Sequence, residues 1–213
     1  MFNEKISIIF FYRCGAERLR ESLDAIFEQN YANTEVVFIA DDFDVPCAEM
    51  LRRYRDRMRF VVKQQGHSHG KILNDSLRLT NGGYFCIVNA CSLLHRDALR
   101  EKVALFNKHP EISAVCSDFS VLDRKELLCH SFFYAQADVE AIAEGEFFFM
   151  DKPQGFLVRS GLPLVPFTLF RKDAYLLHGP FSEDFAVYPE LSFLIKACAD
   201  SALGFVDRVL GNA

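Results

Sequence analysis

The chain has 213 residues, of which half are hydrophobic and a quarter are charged, and its formal net charge is −5. This length and balance indicate one sizeable α/β domain, or at most two small ones. The acidic balance argues against a general nucleic-acid binder, because phosphate contacts need an excess of Lys and Arg.

Phenylalanine and cysteine usage give two further expectations. With 22 Phe and no Trp, the sequence predicts a Phe-rich core. The seven cysteines are scattered without a CxxC pair, and several lie in apolar runs such as "FCIV". We therefore expect buried, reduced thiols in a cytoplasmic protein rather than a disulfide framework or a zinc site. The first apolar run is too short for a signal peptide or a membrane span, and peripheral association with a membrane stays open.

Apolar runs alternate with helical patterns through the first 123 residues. Strands are predicted at 6–12, 34–42, 59–64, 84–88 and 113–123, and helices at 17–29, 46–58, 71–80 and 96–110. This alternation predicts a mostly parallel sheet with helices on both faces. Ligands of such sheets bind beyond the carboxyl ends of the strands, which makes the following segments site candidates: 11–14, 41–44, 65–71 and 89–92.

The last third of the chain gives weaker signals. A helix is predicted at 138–148 and a loop rich in Gly and Pro at 150–166. A strand running into a helix over 167–179, a helix at 188–201 and a strand at 202–210 complete the pattern. The chain stops three residues after that strand, which suggests a domain cut from a longer protein.

Three sequence blocks occur in a characteristic order. The first, "ISIIFFYRCGAERLRESLDAIFEQNYANTEVVFIADD", has a strand, a helix, a Q-x-Y turn and a strand ending in acids. The second, from "NDSLRLTNGGYF" to "AVCSDF", has a Gly-x-Tyr entry and a His-Pro-Glu turn. The third, from "FTLFRKDAY" to "FVDRVL", has a Gly-x-Phe and a late helix. Together they resemble the family 2 glycosyltransferases of GT-A fold.

The resemblance implies a single GT-A domain over residues 1–213, with a mostly parallel central sheet. Residues 1–123 would be its nucleotide-binding half and 124–213 its acceptor-binding half. The expected substrates are a nucleotide-sugar donor and a glycan or lipid-linked acceptor. The segment 124–165 matches least, and its "FFF" (147–149) could line an acceptor wall or belong to the core.

Four residues near the first two strand ends are candidates for the donor nucleotide. In the family, an Asp after the second strand contacts the base or ribose, and Asp41, with Asp42 beside it, lies there. Such acids could instead cap the helix that begins near Pro46. At the end of the first strand, Tyr12 and Arg13 replace family residues, and the Arg13 guanidinium could grip phosphate.

The metal motif is the main departure from the family. Family members place Asp-x-Asp after the fourth strand to hold Mg²⁺ or Mn²⁺, whereas the aligned residues here are Asn89 and Cys91. An amide and a thiol make a poor site for a hard cation. A donor with one phosphate, or a basic side chain from Lys71, Arg13 or His69, could compensate. A zinc site on His67 and His69 is a weaker alternative.

The catalytic base of inverting family members is the Asp of a Glu-Asp pair at the start of the late helix. The alignment places Glu190 there, one methylene longer. An acid is also favoured at this position simply by the helix macrodipole. Glu183 and Asp184 are nearby alternatives.

The leading interpretation is an inverting glycosyltransferase with little or no metal dependence. Asp41, Lys71, Asn74 and Glu190 ring the predicted pocket and support it. The alternative is a catalytically inactive GT-A domain that acts as a scaffold or binding module, since several catalytic motifs are altered at once. A nucleotidyltransferase ranks last, because no Gly-rich phosphate loop follows the first strand.

Overall fold

The computed structural model describes residues 4–12, 16–40, 49, 51–62, 66–122, 128–129, 142–144, 147–160, 162–184 and 188–212. The first half contains β1 (Ile6–Tyr12), α1 (Ala16–Phe27), β2 (Thr34–Ala40), β3 (Met58–Val62), α2 (His69–Arg78), β4 (Tyr84–Asn89), β5 (Leu93–Leu94), α3 (Ala98–Lys108) and β6 (Ala114–Leu122). The second half contains β7 (Leu128–Cys129), β8 (Ile142–Glu144), β9 (Phe147–Met150), α4 (Gln154–Ser160), β10 (Leu169–Arg171), α5 (Lys172–His178), α6 (Pro189–Ala197) and β11 (Leu203–Asn212). Two 3-10 segments cover Arg52–Arg57 and Leu162–Phe167.

One sheet runs through both halves in the order β3-β2-β1-β4-β10-β6-β11-β9-β8. The four strands at its β3 end are parallel. Strand β10 is antiparallel to both β4 and β6, and β11 is parallel to β6 but antiparallel to β9. The predicted parallel sheet therefore holds for the first half, whereas the second half is mixed.

Phenylalanines fill the core, as their number predicts. Phe85 in β4 stacks on Phe170 in β10 with 5.1 Å between ring centroids, and Phe193 of α6 packs 5.4 Å from Phe170. All three side chains are essentially inaccessible to solvent. Aromatic pairs at this separation add to the stabilisation from burial alone. The late helix α6 is thus anchored to the middle of the sheet.

The predictions for 138–166 are wrong where this part of the chain is described. Instead of a helix at 138–148, β8 and β9 form a hairpin, and β9 pairs with β11, with Phe148 opposite Phe205. Instead of a loop at 150–166, α4 follows directly after Pro153. The hairpin residues have a helix-like pattern, but pairing with β11 decides their conformation, because strand preference depends strongly on neighbouring strands.

The predicted helix at 46–58 is described only in part. Residues 52–57 form a 3-10 segment that leads into β3, and 41–48 lie outside the described residues. Within the described ranges, no helix is long and apolar enough to cross a membrane.

Candidate functional site

The carboxyl ends of β1 and β4 meet where the strand order changes direction. From β1 the chain adds β2 and β3 on one side, and then returns to place β4 on the other. Open α/β sheets bind ligands at such a point. Tyr12 ends β1, and Asn89 ends β4 directly opposite Phe11. Two of the predicted site residues therefore lie at this edge.

The loop after β4 is closed by bonds within the protein. The side-chain oxygen of Asn89 accepts hydrogen bonds from the Cys91 N–H at 2.9 Å and from the Ser92 hydroxyl at 3.0 Å. The Ala90 N–H donates to the Phe11 carbonyl at 3.1 Å. These bonds hold the loop in one shape, and the side-chain oxygen of Asn89 takes part in two of them.

This loop does not fit Mg²⁺ or Mn²⁺. The oxygen of Asn89 is already used, and Cys91 is disulfide-bonded, so neither offers the hard anionic ligand that these cations prefer. Across the described part of the chain, no group of three or more His, Cys, Asp or Glu side chains could hold a metal ion.

The expectation of reduced cysteines is wrong for Cys91. Its sequence spacing from other cysteines gives no sign of a pairing, because a disulfide depends on spatial separation rather than on distance along the chain. Cys86, Cys116 and Cys198 are free and buried, as predicted.

Three of the predicted nucleotide contacts, Arg13, Asp41 and Asp42, lie outside the described residues, and their roles stay predictions. Tyr12 is half-buried, and its ring stacks on Phe38 at 6.2 Å between centroids. A nucleotide contact by Tyr12 also stays a prediction.

Lys71 lies in the first turn of α2, where its backbone N–H donates to Ser68 at 3.2 Å and so caps the helix. Its ammonium pairs with the Asp75 carboxylate one turn along, at 3.2 Å. The pair is about one-third exposed, and such helix-surface pairs are weak. Lys71 could therefore exchange Asp75 for a phosphate, which stays a prediction.

Glu190 occupies the first turn of α6 and contacts a histidine from a different part of the chain. Its Oε1 hydrogen-bonds Nε2 of His69, the first residue of α2. The two side chains are only 14% and 13% exposed, so water competes weakly for the contact. Glu190 follows Pro189 and the left-handed Tyr188 (φ 59°, ψ 50°), a conformation that costs energy for a non-glycine residue.

His69 is fixed from two sides. Its ring packs on Phe11 at the end of β1, with 4.4 Å between ring centroids. The next residue, Gly70, lies so close to the backbone of Ser182 that a Cβ atom would come within 2.0 Å of that carbonyl oxygen. A chain of contacts thus runs from the loop after β4 through Phe11 and His69 to Glu190.

Asn74 does not line the pocket. It is fully buried, and its amide bonds the backbone N–H and C=O of Phe181 at 2.9 and 3.0 Å. It also donates to Glu183 and accepts from the Tyr175 hydroxyl, both at 3.0 Å. Burial raises the pKa of Tyr175, which keeps this donor protonated. Asn74 is a structural joint between α2 and the segment before α6.

A groove of about 430 Å³ lies between α1, β5 and the end of β11. Its walls carry charged and polar side chains, including Glu21, Glu28, His95, Arg96 and Asn212. None of the predicted site residues that the structure describes lines it, and the contact chain that ends at Glu190 does not reach it.

Comparison with known proteins identifies the family. Residues 7–149 match the family model described as glycosyl transferase family 2. The chain belongs to this family. An uncharacterized glycosyltransferase of Rickettsia typhi is 22% identical over 98% of the chain and 63% of its own length. The chain therefore spans less than two thirds of this curated relative.

Solved structures share the fold. Residues 1–349 of Staphylococcus aureus TarS, in complex with UDP-GlcNAc, superpose with a TM-score of 0.70 at 17% identity, over 98% of this chain and 58% of that one. The mannosyltransferase PcManGT of Pyrobaculum calidifontis, in complex with GDP-Man and Mn²⁺, gives 0.65 at 19% identity, over 98% and 56%. The predicted GT-A fold is confirmed.

The sequence alone suggests His69 only as a substitute for the metal or as a weak zinc ligand. The structure instead brings it to Glu190. The only signal in the sequence was the position of "GHSHG" directly after a strand and before a helix, where site residues collect.

Proposed function

We propose that this domain is a transferase that moves a sugar from a nucleotide-activated donor to a glycan or lipid-linked acceptor, with inversion at the anomeric carbon. The observation that carries the proposal is the position of Glu190, which lies at the start of α6 against His69. Family membership supplies the reaction class.

Glu190 has the properties of a general base. Its Oε1 contacts His69, whereas Oε2 accepts no hydrogen bond from the described residues and is free to meet a hydroxyl group. We propose that Glu190 takes the proton of the acceptor hydroxyl as that oxygen attacks the anomeric carbon. The bond from that carbon to the donor phosphate breaks, and its electron pair leaves with the nucleotide.

We propose that the reaction depends weakly or not at all on a divalent cation. Support comes from the loop after β4, where Asn89 and Cys91 are poor ligands for Mg²⁺ or Mn²⁺. Negative charge on the donor would then be met by cationic side chains, with Lys71 and Arg13 as the candidates, or the donor would carry a single phosphate.

Calorimetric titration of nucleotides tests this proposal. UDP, GDP, CMP and dTDP would each be titrated once with Mn²⁺ and once with EDTA, and the two nucleotides of the related structures, UDP and GDP, come first. We expect at least one nucleotide to bind with similar affinity under both conditions. Binding that requires Mn²⁺ would contradict metal independence.

The second candidate is a catalytically inactive GT-A domain, and the replaced ligands at Asn89 and Cys91 are the observation that favours it. A well-folded protein that binds none of the four nucleotides would support this candidate and would contradict the proposed transferase.

A further inference from the structure

We propose that His69 is a positioning residue for Glu190. Its Nε2–H holds one carboxylate oxygen of Glu190, so that the other oxygen faces the acceptor hydroxyl. The inference rests on the proposed role of Glu190 as the base, and it adds a residue to that site.

The contact between His69 and Glu190 lies in a largely buried environment. Both side chains are about seven-eighths withdrawn from water, and a hydrogen bond to a carboxylate is stronger there than at the surface. The Glu190 side chain has three rotatable bonds, and a contact at its end restricts them. Without that contact, the carboxylate of Glu190 would sample several positions relative to a bound acceptor.

His69 is itself held in place. Its ring lies against Phe11, which is only 4% exposed at the end of β1. Helix α2, which starts at His69, is joined to the segment before α6 by the Asn74 amide and by the close approach of Gly70 to Ser182. Both partners therefore stand on one connected framework, as a positioning contact requires.

The two carboxylate oxygens of Glu190 have different surroundings. His69 contacts Oε1, and among the described residues nothing bonds Oε2. One oxygen is therefore used for orientation, while the other remains available for proton transfer at a fixed place.

Two variants and one control test the role of His69. His69→Phe removes the donor but keeps a ring against Phe11, whereas His69→Gln loses the ring but keeps an N–H donor four bonds from Cα, as in Nε2 of His. His67→Gln is the matched control, since His67 lies two positions away and outside the proposed contact. The measurement is release of UDP from UDP-GlcNAc and of GDP from GDP-mannose, with kcat and the donor KM determined separately.

We expect His69→Phe to lower kcat by roughly 10- to 100-fold with the donor KM changed less than about 2-fold. His69→Gln should recover most of that loss, and His67→Gln should match the wild type. Wild-type kcat in His69→Phe, or equal losses in both His69 variants, would overturn the inference. Wild-type protein that releases neither nucleotide would exclude UDP-GlcNAc and GDP-mannose as donors, and the unfolding measurements below would then decide the inference.

A double-mutant cycle on the free energy of unfolding tests the contact between His69 and Glu190 without any donor. The free energies of unfolding of His69→Phe, Glu190→Gln and the double variant would be compared with that of the wild type. We expect clear non-additivity, because the residues are in contact. Additive effects would show that the contact is absent and would overturn the inference, whatever the activity of the wild type.

Discussion

The side-chain amide of Asn74 bonds both the N–H and the C=O of Phe181, although 107 positions separate the two residues. The two bonds resemble the pair of backbone hydrogen bonds between residues of adjacent strands, but here they join a helix to a loop. It joins α2, which begins at His69, to the described residues that precede α6.

Replacement of Asn74 by Asp should destabilise the fold. Asp has the same side-chain shape as Asn, but it cannot donate the two bonds to Phe181 and Glu183. One of its carboxylate oxygens would also lie against the buried carbonyl oxygen of Phe181. We expect the free energy of unfolding to fall by about 2 to 4 kcal/mol, measured by urea denaturation. Asn81→Asp makes the same chemical change at an exposed position and should shift stability by less than about 0.5 kcal/mol. Equal effects in the two variants would contradict the proposed joint.

A substitution at Gly70 tests the close approach of α2 to the backbone of Ser182. In Gly70→Ala the new methyl group would overlap the Ser182 carbonyl oxygen, which lies 2.0 Å from the Cβ position, so one of the two elements must move. We expect a loss of about 1 to 3 kcal/mol in the free energy of unfolding.

Gly155→Ala is the control for this substitution. Gly155 also lies in a helix, but its Cβ position meets only the tip of Arg159, at 3.9 Å. This variant should be neutral or stabilised by up to about 1 kcal/mol, because Ala favours a helix. Thermal unfolding of both variants would test this prediction. A Gly70→Ala variant as stable as the wild type would show that α2 and the backbone at Ser182 can move apart at no cost.

The strands that carry the site could be predicted from sequence because they are continuous apolar runs. β1 and β4 end within one residue of the predicted boundaries. The hairpin of β8 and β9 could not, because its conformation depends on pairing with β11, some 55 positions further along the chain.

The residues of the candidate site also differ in how much of their role the sequence indicates. The resemblance to the family points to Glu190 as the base, which stays a prediction, whereas its contact with His69 spans 121 positions and has no sequence signal. The sequence predicts Asn74 at the pocket because it is one of the polar residues at the strand or helix ends around it. A fully bonded buried amide has the same sequence signature as an exposed ligand, so only its contacts distinguish the two.

Lys102 gives a prediction about pH. It lies in α3 with 1% exposure, and burial lowers the pKa of its ammonium from 10.5 to about 8. The folded state thus binds the Lys102 proton more weakly than the unfolded state does. Below about pH 8 the charged form penalises folding in full, and this penalty is relieved as the pH rises from about 8 towards 10.5.

Lys102→Met should therefore stabilise the protein, by on the order of 2 to 3 kcal/mol near pH 7. The gain should shrink towards pH 10 or so. Buried thiols such as Cys86, whose pKa burial raises to about 12, are present in both proteins, so the difference between the two urea denaturation curves isolates Lys102. A gain that does not change with pH would mean that packing, rather than charge, explains the effect.

The most direct test of the account is nucleotide release from a sugar donor in EDTA by the wild type, Glu190→Gln and Asp184→Asn. Asp184 is a neighbouring exposed acid outside the contact chain. The account predicts that the wild type and Asp184→Asn release nucleotide at similar rates without metal, whereas Glu190→Gln is slower by about 100-fold or more. Equal rates in all three proteins, or release only after Mn²⁺ is added, would contradict it.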